Sequence, residues 1–567
     1  MNTASAILAE LPLNGVACPE SFTFVGDVSY IALDAGGDSL LLQAGGKVGE
    51  HGLSGLTWQD AARQRYLYKF GASDHQNIRA FAERIDRAFL PRPQREFPAI
   101  AAGNRHPEIS LPAVFEAFGD ILQRTGRNVA STVQLSATRE MTTAEEIARR
   151  DGSNPTAPGH TRVSIEHLYH AGLWAAIRAG YRSGYNAEAD HFIVNGVDDA
   201  SIASSVDWVK DAIRQAAGYT KFTTDTSRLF DLRADTRHPT PWTRAQVDDL
   251  FEKRLTADER GWVLDAFSKP FGCNNRAYRF SAENIRQLSV KFGPSLKLNE
   301  ELFDAISKAK GGAPFDFEPS LDEADTLTTP EELIFYMHWM RERGRPAQLV
   351  PPNLGFKKRQ AYPDARAALA NYAGHKMWPE LLPRVDAEFS GDSIAELKAR
   401  VAELADVARL FDGTLSIHSG SGKQPEVLRN IGAATNGRLN YKISGELQLQ
   451  LFDVLSEQPR SSPERRLYEA MVTACEKFAQ AGAFGEESAL AEQYHATHGS
   501  YLGDASIGRV DGNLFLVFWL GNMVGSRGED GRFFKEALDT LPKAIVEETR
   551  RRNAGYVRWL ADNLWGT

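Results

Sequence analysis

An alternation narrows the fold of this chain more than any other feature. Between residues 96 and 445, eight short apolar segments are separated mostly by longer stretches of helical spacing. The segments are FPAIAAG, ASTVQLSA, AEADHFIV, YTKFTTD, FDFEPSLD, AQLVPPN, TLSIHSG and RLNYKIS. Strands alternating with helices are βα units, because parallel strands need a long crossover between them. The clearest helix runs over about 392–411, where Ile394, Leu397, Val401, Leu404, Val407 and Phe411 recur three or four apart. Such spacing puts them on one face. Glu396 follows Ser393 at the spacing of a capping box. Eight strands with helical connections predict an α/β fold, a (β/α)8 TIM-type barrel.

The flanks predict additions to that barrel. Residues 1–95 form a β-rich α/β region punctuated by Gly-Gly pairs, and PRPQREFP reads as the linker after it. A Lys/Arg/Glu-rich helical insertion is expected over about 228–312, and residues 446–567 read as a helical region packed on the barrel. The last helix is amphipathic, but acidic residues interrupt its basic face, which favours packing over a membrane surface. No run of 18 apolar residues exists, so no membrane span is expected. MNTASAILAELPLNG lacks a basic run before its apolar patch and is not read as a signal peptide. The net charge of -9 argues against binding nucleic acid through bulk charge. Cys18, Cys273 and Cys475 are far apart and lack zinc-finger spacing, which suits a reducing, cytoplasmic setting.

One stretch, LSIHSGSGKQP at 415–425, imitates a phosphate-binding loop. The glycine that loop needs at 417 is Ile417, and the hydroxyl it needs after the lysine is Gln424. Pro425 stands where the phosphate-binding helix should be running. The stretch is better read as a strand that delivers His418 to its end.

Reactive groups in such barrels sit at the C-terminal ends of strands. There the sequence places Arg139-Glu140, Asp190-His191, Asp225, Asp322-Glu323 and His418-Ser419, with Lys442 in the eighth segment. Two histidines and several carboxylates at one mouth are nitrogen and oxygen donors suited to Mn, Co, Ni, Zn or Mg. Plainer readings compete. Asp190-His191 can be a satisfied polar pair, Asp225 a cap for the next helix, and Asp322-Glu323, beside Asp325, a solvated acidic loop. Lys442 lies within an apolar strand, where an unpaired ammonium is costly, and this favours a functional role. Glu166, His167 and His170 have helical spacing, but they lie on a helix and are not taken as ligands. His495 and His498 default to packing, although one of them can reach the mouth.

Several of these stretches together resemble the tagaturonate/fructuronate epimerases. Ala-Asp190-His191 resembles that family's Ala-Asp-His strand end. AGYTKFTTDTS resembles its Ala-Gly-Phe-Thr-x-Phe-Thr-Ile-Asp-Pro-Ser, and FDFEPSLDEADTLTTP resembles its Phe-Asp-Phe-Glu-Val-Ser-Val-Asp-Glu-Thr-Glu-Thr-Pro-Thr. LSIHSGSGK resembles its Leu-Ser-Leu-His-Ser-Gly-Ser-Asp-Lys, and HATHGSYL its His-Val-Thr-Tyr-Gly-Ser-Val-Leu. The matches keep their order over roughly 130–505.

The resemblance implies a metal-dependent epimerase of a keto-sugar or keto-sugar acid. The inverted carbon is two removed from the ketone, so its C–H is not acidic and enolisation cannot epimerise it. A retro-aldol and aldol sequence can, with a Lewis acid at the ketone and a base at the hydroxyl. By position the divalent ion falls to His191, Glu323 and His418, with Asp190 and Asp322 as alternative ligands or supports. Asp225 is the expected base, and Lys442 is expected to stabilise the oxyanion or hold substrate. Expected substrate contacts are Arg139, Glu140, Ser419, Lys423, Glu446 and His495.

The chain also departs from that family. The family's His-Val-Lys-Thr-Ala-Gly-Thr-Ser becomes Asn440-Tyr441-Lys442-Ile443-Ser444-Gly445-Glu446-Leu447, and the aspartate of its Gly-Ser-Asp-Lys becomes Gly422. Glu446 adds a negative charge where a uronate carboxylate would bind, which points instead to a neutral ketose or polyol-derived sugar. A metal-dependent aldolase or isomerase on the same barrel, and a non-catalytic sugar-binding paralogue, are the other readings.

Overall fold

The computed structural model describes residues 15–35, 37–95, 98–134, 161–196, 198–322, 324, 326–356, 393–418, 420, 423–443, 445–480 and 529–566. Arg139, Glu140, Glu323, Ser419, Gly422 and His495 lie outside the described residues.

The eight apolar segments are the eight strands of one parallel sheet. They are β1 Ala99–Asn104, β2 Ala130–Gln134, β3 Asn186–Ile193, β4 Lys221–Asp225, β5 Asp316–Pro319, β6 Leu349–Val350, β7 Thr414–Ile417 and β8 Leu439–Ile443. The order across the sheet is β5-β4-β3-β2-β1-β8-β7-β6. Its two ends meet where the Gln348 N–H donates to the Phe317 carbonyl at 2.9 Å. The sheet is therefore a nearly closed barrel, as the alternation predicts.

A helix follows each strand: α1 Pro107–Thr125, α2 Ile165–Arg178, α3 Asp199–Gln215, α4 Ala282–Lys310, α5 Pro330–Glu342, α6 Ser393–Leu410, α7 Pro425–Ala434 and α8 Glu446–Ser456. Side-chain capping starts several of them. Asp198 with Ser201, Ser281 with Asn284, and Thr329 with Glu332 form capping boxes that satisfy the first orphan N–H groups of α3, α4 and α5. In α6, Leu397, Val401, Leu404 and Val407 are buried, as their spacing requires. Pro425 opens α7 at its first turn rather than blocking a helix there, because a proline at that position gives up an N–H that has no intrahelical partner. Between β4 and α4 the chain adds helices Arg244–Arg254 and Ala257–Ala266 and a hairpin of Phe271–Cys273 with Arg276–Tyr278. The stretch 228–312 thus contains both added elements and the barrel's own fourth helix.

Ahead of the barrel lies a six-stranded antiparallel sheet, built from strands between Gly15 and Lys69. Alternation along it serves two faces. Tyr30, Ala32, Leu41 and Tyr68 point into the main core, while Ile31, Leu33, Leu40, Leu42 and Leu67 build a small core on the other side. The unit docks on α2 and the loop after it. Arg178 pairs with Asp34, and Arg182 pairs with Asp86 at 2.8 Å.

At the C-terminal side, helix Lys543–Trp565 buries Ile545, Val557, Leu560, Ala561 and Leu564. It crosses α7 so closely that a Cβ on Gly432 would stand 1.6 Å from the Leu564 carbonyl oxygen. No helix among the described residues is long and apolar enough to cross a membrane.

Candidate active site

The barrel interior is charged where a structural barrel would be filled with branched apolar side chains. Alternate positions of β3, β4, β5 and β8 bring Glu188, Lys221, Glu318 and Lys442 together. Lys221 Nζ lies 3.0 Å from Glu188 and 2.7 Å from Glu318. Lys442 Nζ lies 2.6 Å from Glu188, 2.8 Å from Asp190 and 2.9 Å from Glu318. The Thr223 hydroxyl is within hydrogen-bond distance of both glutamates, at 2.7 and 3.1 Å. All of these groups are buried. An ion taken from water at this depth loses several kcal/mol of solvation, roughly, and only mutual pairing keeps the layer charged. Burial opposes the charge on Lys442, yet Asp190, Glu188 and Glu318 outweigh it and hold its ammonium well above the usual range. Burial likewise opposes ionisation of Glu318, and Lys221 and Lys442 reverse that.

Above this layer stands a ring of imidazoles and carboxylates. His418, at the end of β7, places Nε2 2.9 Å from Glu318 and Nδ1 3.0 Å from Asp322. His191 lies 3.7 Å from Asp190 and 3.7 Å from Asp225 through its two nitrogens. The two rings face each other edge to face at 5.7 Å. Asp225 Oδ1 accepts from the Ser227 N–H at 3.1 Å and from its hydroxyl at 2.6 Å.

Simple alternation would send Asp190 and His191 to opposite faces of β3. A bulge prevents this. Phe222 pairs with Ala189 and Thr224 with Phe192, so β3 uses one residue more than β4 over the same rise. His191 adopts φ 50°, a left-handed backbone uncommon outside glycine. Bulges of this kind re-aim side chains beside active sites, and here both residues reach the mouth.

The electrostatics follow from the crowding. Carboxylates outnumber the two ammonium groups, so the imidazoles are drawn to the protonated state. Burial works against charge on His191, but Asp190 and Asp225 lift it to about 9. His418 is raised against burial by Asp322 and Glu318. Asp190 is held at about 2 despite burial, by His191, Lys442 and His418. Asp322 is lowered against burial, mainly by His418.

Asp190, His191, Asp225, Asp322, His418 and Lys442 converge on one mouth. Lys442 is deeper than expected, and its three ammonium hydrogens are matched by three carboxylates. Lys423 is buried, with Nζ 5.0 Å from the Phe356 ring centre. Glu446 is buried at the start of α8, within 3.4 Å of Gln450 Nε2, and the Arg105 guanidinium stands beside Gly445. Asn440 donates to Ser416 at 2.8 Å, two residues before Lys442 and so one layer below it. The sequence reading missed Glu188, Lys221 and Glu318. Their signal was the one used for Lys442: a charge inside a strand-like apolar segment.

An ion of the kind the family resemblance implies finds suitable donors here. The two imidazoles and the excess of carboxylate over ammonium suit a borderline divalent cation. As they stand, these groups face one another as ion pairs. Among the described residues, the cluster whose three ligand atoms lie within 4.8 Å of one another is elsewhere, at His75, Glu166 and His170.

Comparison with known proteins agrees with the barrel fold. The model of the UxaE tagaturonate epimerase family matches residues 159–356, the stretch from α2 to the end of β6. A tagaturonate/fructuronate epimerase of Thermotoga maritima is 24% identical over 356 residues, covering 59% of this chain and 63% of the relative's own length. The native crystal structure of the fructuronate-tagaturonate epimerase UxaE from Cohnella laeviribosi superposes with a TM-score of 0.66 at 19% identity, over 100% of this chain and 99% of that one. A form of that protein with two glycerols gives the same TM-score at 18% identity, over 99% and 98% of the two chains. The chain is thus similar to the tagaturonate/fructuronate epimerases in sequence over part of its length and in fold over nearly all of it.

Proposed function

We propose that this chain is an isomerase that epimerises a keto-hexuronate of the tagaturonate/fructuronate type with the help of a divalent ion. The observation that carries the reading is the pair of buried His418 and half-buried His191, with ring centres 5.7 Å apart and walled by Asp190, Asp225 and Asp322. That is a donor set for one cation with a base beside it. His191 and His418 would hold the ion, with Glu323 as third ligand and Asp322 supporting His418. When bound, the ion supplies the Lewis acid that polarises the substrate ketone.

The protein's own groups do the rest. Asp225, fixed through Oδ1 by Ser227, turns Oδ2 toward the mouth and takes the hydroxyl proton from the carbon to be inverted. The bond from that carbon to the one next to the ketone breaks, and its electron pair moves onto the ketone oxygen. The resulting aldehyde turns and is attacked on its other face, and Asp225 returns the proton. Lys442 does not touch substrate in this scheme. Its ammonium holds Asp190 and Glu318 in place, so it acts through them.

The departures from the family favour this reading more than the sequence suggested. Asn440 lies beneath the mouth, and Arg105 brings a guanidinium next to Gly445, the residue before Glu446. A neutral ketose is the second reading, favoured by the surplus of carboxylates at the mouth. Arg139, Glu140, Ser419, Lys423, Glu446 and His495 are assigned to the substrate's far end. The test is to incubate the purified protein with ketohexuronates and ketohexoses plus Mn, Ni or Zn and follow products by NMR. One inverted stereocentre with the carbon chain intact, abolished by chelation, is the expected result. Two short fragments would make the protein an aldolase, and binding without turnover a sugar-binding paralogue.

A further inference from the structure

We infer that His75, Glu166 and His170 form a second site, at the seam between the N-terminal sheet unit and the barrel, for a divalent cation that prefers imidazole, such as Zn²⁺ or Co²⁺. The three offer one ligand atom each, all within 4.8 Å of one another. His75 opens the short helix His75–Ala80 of the N-terminal unit, whereas Glu166 and His170 lie on α2. Glu166 and His170 are four residues apart and share one helix face. A cation here would join the two units through side chains of both.

Two hydrogen-bond chains set the ring tautomers for ligation. His170 Nδ1 lies 2.8 Å from the Glu166 carbonyl oxygen, so Nδ1 carries the proton and Nε2 presents its lone pair. Such a carbonyl partner is what fixes the tautomer of a metal-bound histidine. The second chain starts at Glu108, which lies 2.7 Å from His167 Nε2. Glu108 stays ionised: burial opposes this, but the His167 hydrogen bond and the Lys535 charge hold it at about 2. With its proton on Nε2, His167 accepts through Nδ1 from His75 Nε2 at 3.1 Å. That leaves Nδ1 as the lone-pair nitrogen of His75.

The site already attracts a cation. Arg79 Nη2 stands 3.1 Å from Glu166 Oε1 and 3.4 Å from His170 Nε2. Its side chain is 53% exposed, so it can leave for solvent. Ligand atoms around a metal at about 2.0–2.1 Å stand roughly 3.4 Å apart. Closure therefore needs the exposed Glu166 to approach and His75, now stacked on His170 at 4.4 Å, to tilt about its bond to His167. Thiolate is absent from this donor set and imidazole dominates it, which disfavours Mg²⁺ and Ca²⁺.

The test uses the full chain, stripped with a chelator and titrated with Co²⁺ by visible absorption, with Zn²⁺ counted by elemental analysis. His75→Ala and Glu166→Gln should each lower the bound metal by one equivalent per chain without changing circular dichroism. Arg79→Gln should tighten binding about fivefold, because a surface ion pair no longer has to break. His418→Ala subtracts any metal held at the barrel mouth, so the two sites are counted separately. Unchanged stoichiometry in both His75→Ala and Glu166→Gln overturns the inference. So does a wild-type protein whose whole metal content disappears in His418→Ala.

Discussion

Two pairs of histidines in this molecule carry opposite perturbations. His191 and His418 at the barrel mouth are raised, while His75 and His170 at the rim are lowered; in each pair one ring is buried and the other half-buried. Burial pushes all four toward the neutral ring. At the mouth each ring is flanked by two carboxylates, and their attraction exceeds the loss of solvation. At the rim the ring nitrogens meet other imidazoles, a backbone carbonyl and Arg79, and burial outweighs the nearby Glu166. Carboxylates placed against both ring nitrogens, not depth, separate the mouth histidines from the rim ones. A protonated ring stores a positive charge that a metal can replace; a neutral ring offers a lone pair at once.

Lys442→Met should break this comparison most severely. It leaves Glu188, Asp190 and Glu318 without their common cation, and losing one partner of a buried ion cluster costs about 3–5 kcal/mol. Denaturant unfolding should show that loss together with absent turnover, whereas Lys47→Met, on a surface turn, should show neither. Asp225→Asn should leave the fold intact and lower turnover about 10²- to 10⁴-fold, the usual worth of a positioned base. Steady-state kinetics on the active ketohexuronate checks it. His418→Ala should lose both turnover and mouth-bound metal with the fold preserved, and full activity would remove that residue from the site.

pH separates the two pairs. His191 sits at about 9 when folded, above its unfolded value of about 6.5. Its contribution is therefore complete below about 6.5 and lost as pH rises through about 9. His170 sits at about 3 when folded. Its contribution is present above about 6.5 and lost as pH falls toward 3. Each limb carries about 1.4 kcal/mol per pH unit per group. Unfolding midpoints of the metal-free protein should fall on both sides of neutrality, with His170→Gln flattening only the acid side and His191→Gln only the alkaline side. The smallest effect expected is for Ser416→Ala, about 1 kcal/mol for one buried hydrogen bond to Asn440. It should leave both pairs of histidines as they are.

The barrel was legible because its strands are apolar runs bounded by helical spacing, and burial of both faces imposes that pattern. The cluster at the mouth was legible in part, because its members stand as polar residues at the ends of apolar segments, although plainer readings competed there. Three things were not. Glu188, Lys221 and Glu318 escaped because a charge within an apolar run reads as a strand's polar face until the opposite charge is seen across the barrel. The β3 bulge escaped because alternation cannot show a residue that breaks it. The rim cluster escaped because His75 and His170 are 95 positions apart in sequence, though their ring centres stand 4.4 Å apart.

His191 also has a consequence for how this lineage can change. A left-handed backbone costs a residue with a Cβ about 1 kcal/mol or more, and asparagine or glycine less. Against that relief stands the pairing of the charged ring with Asp190 and Asp225, which asparagine cannot replace. His191→Asn should therefore be an inactive protein that has exchanged ion pairing for an easier backbone. A relative that has abandoned the reaction should drift to Asn or Gly at this position while keeping the bulge, so the residue found there records whether the chemistry is still under selection.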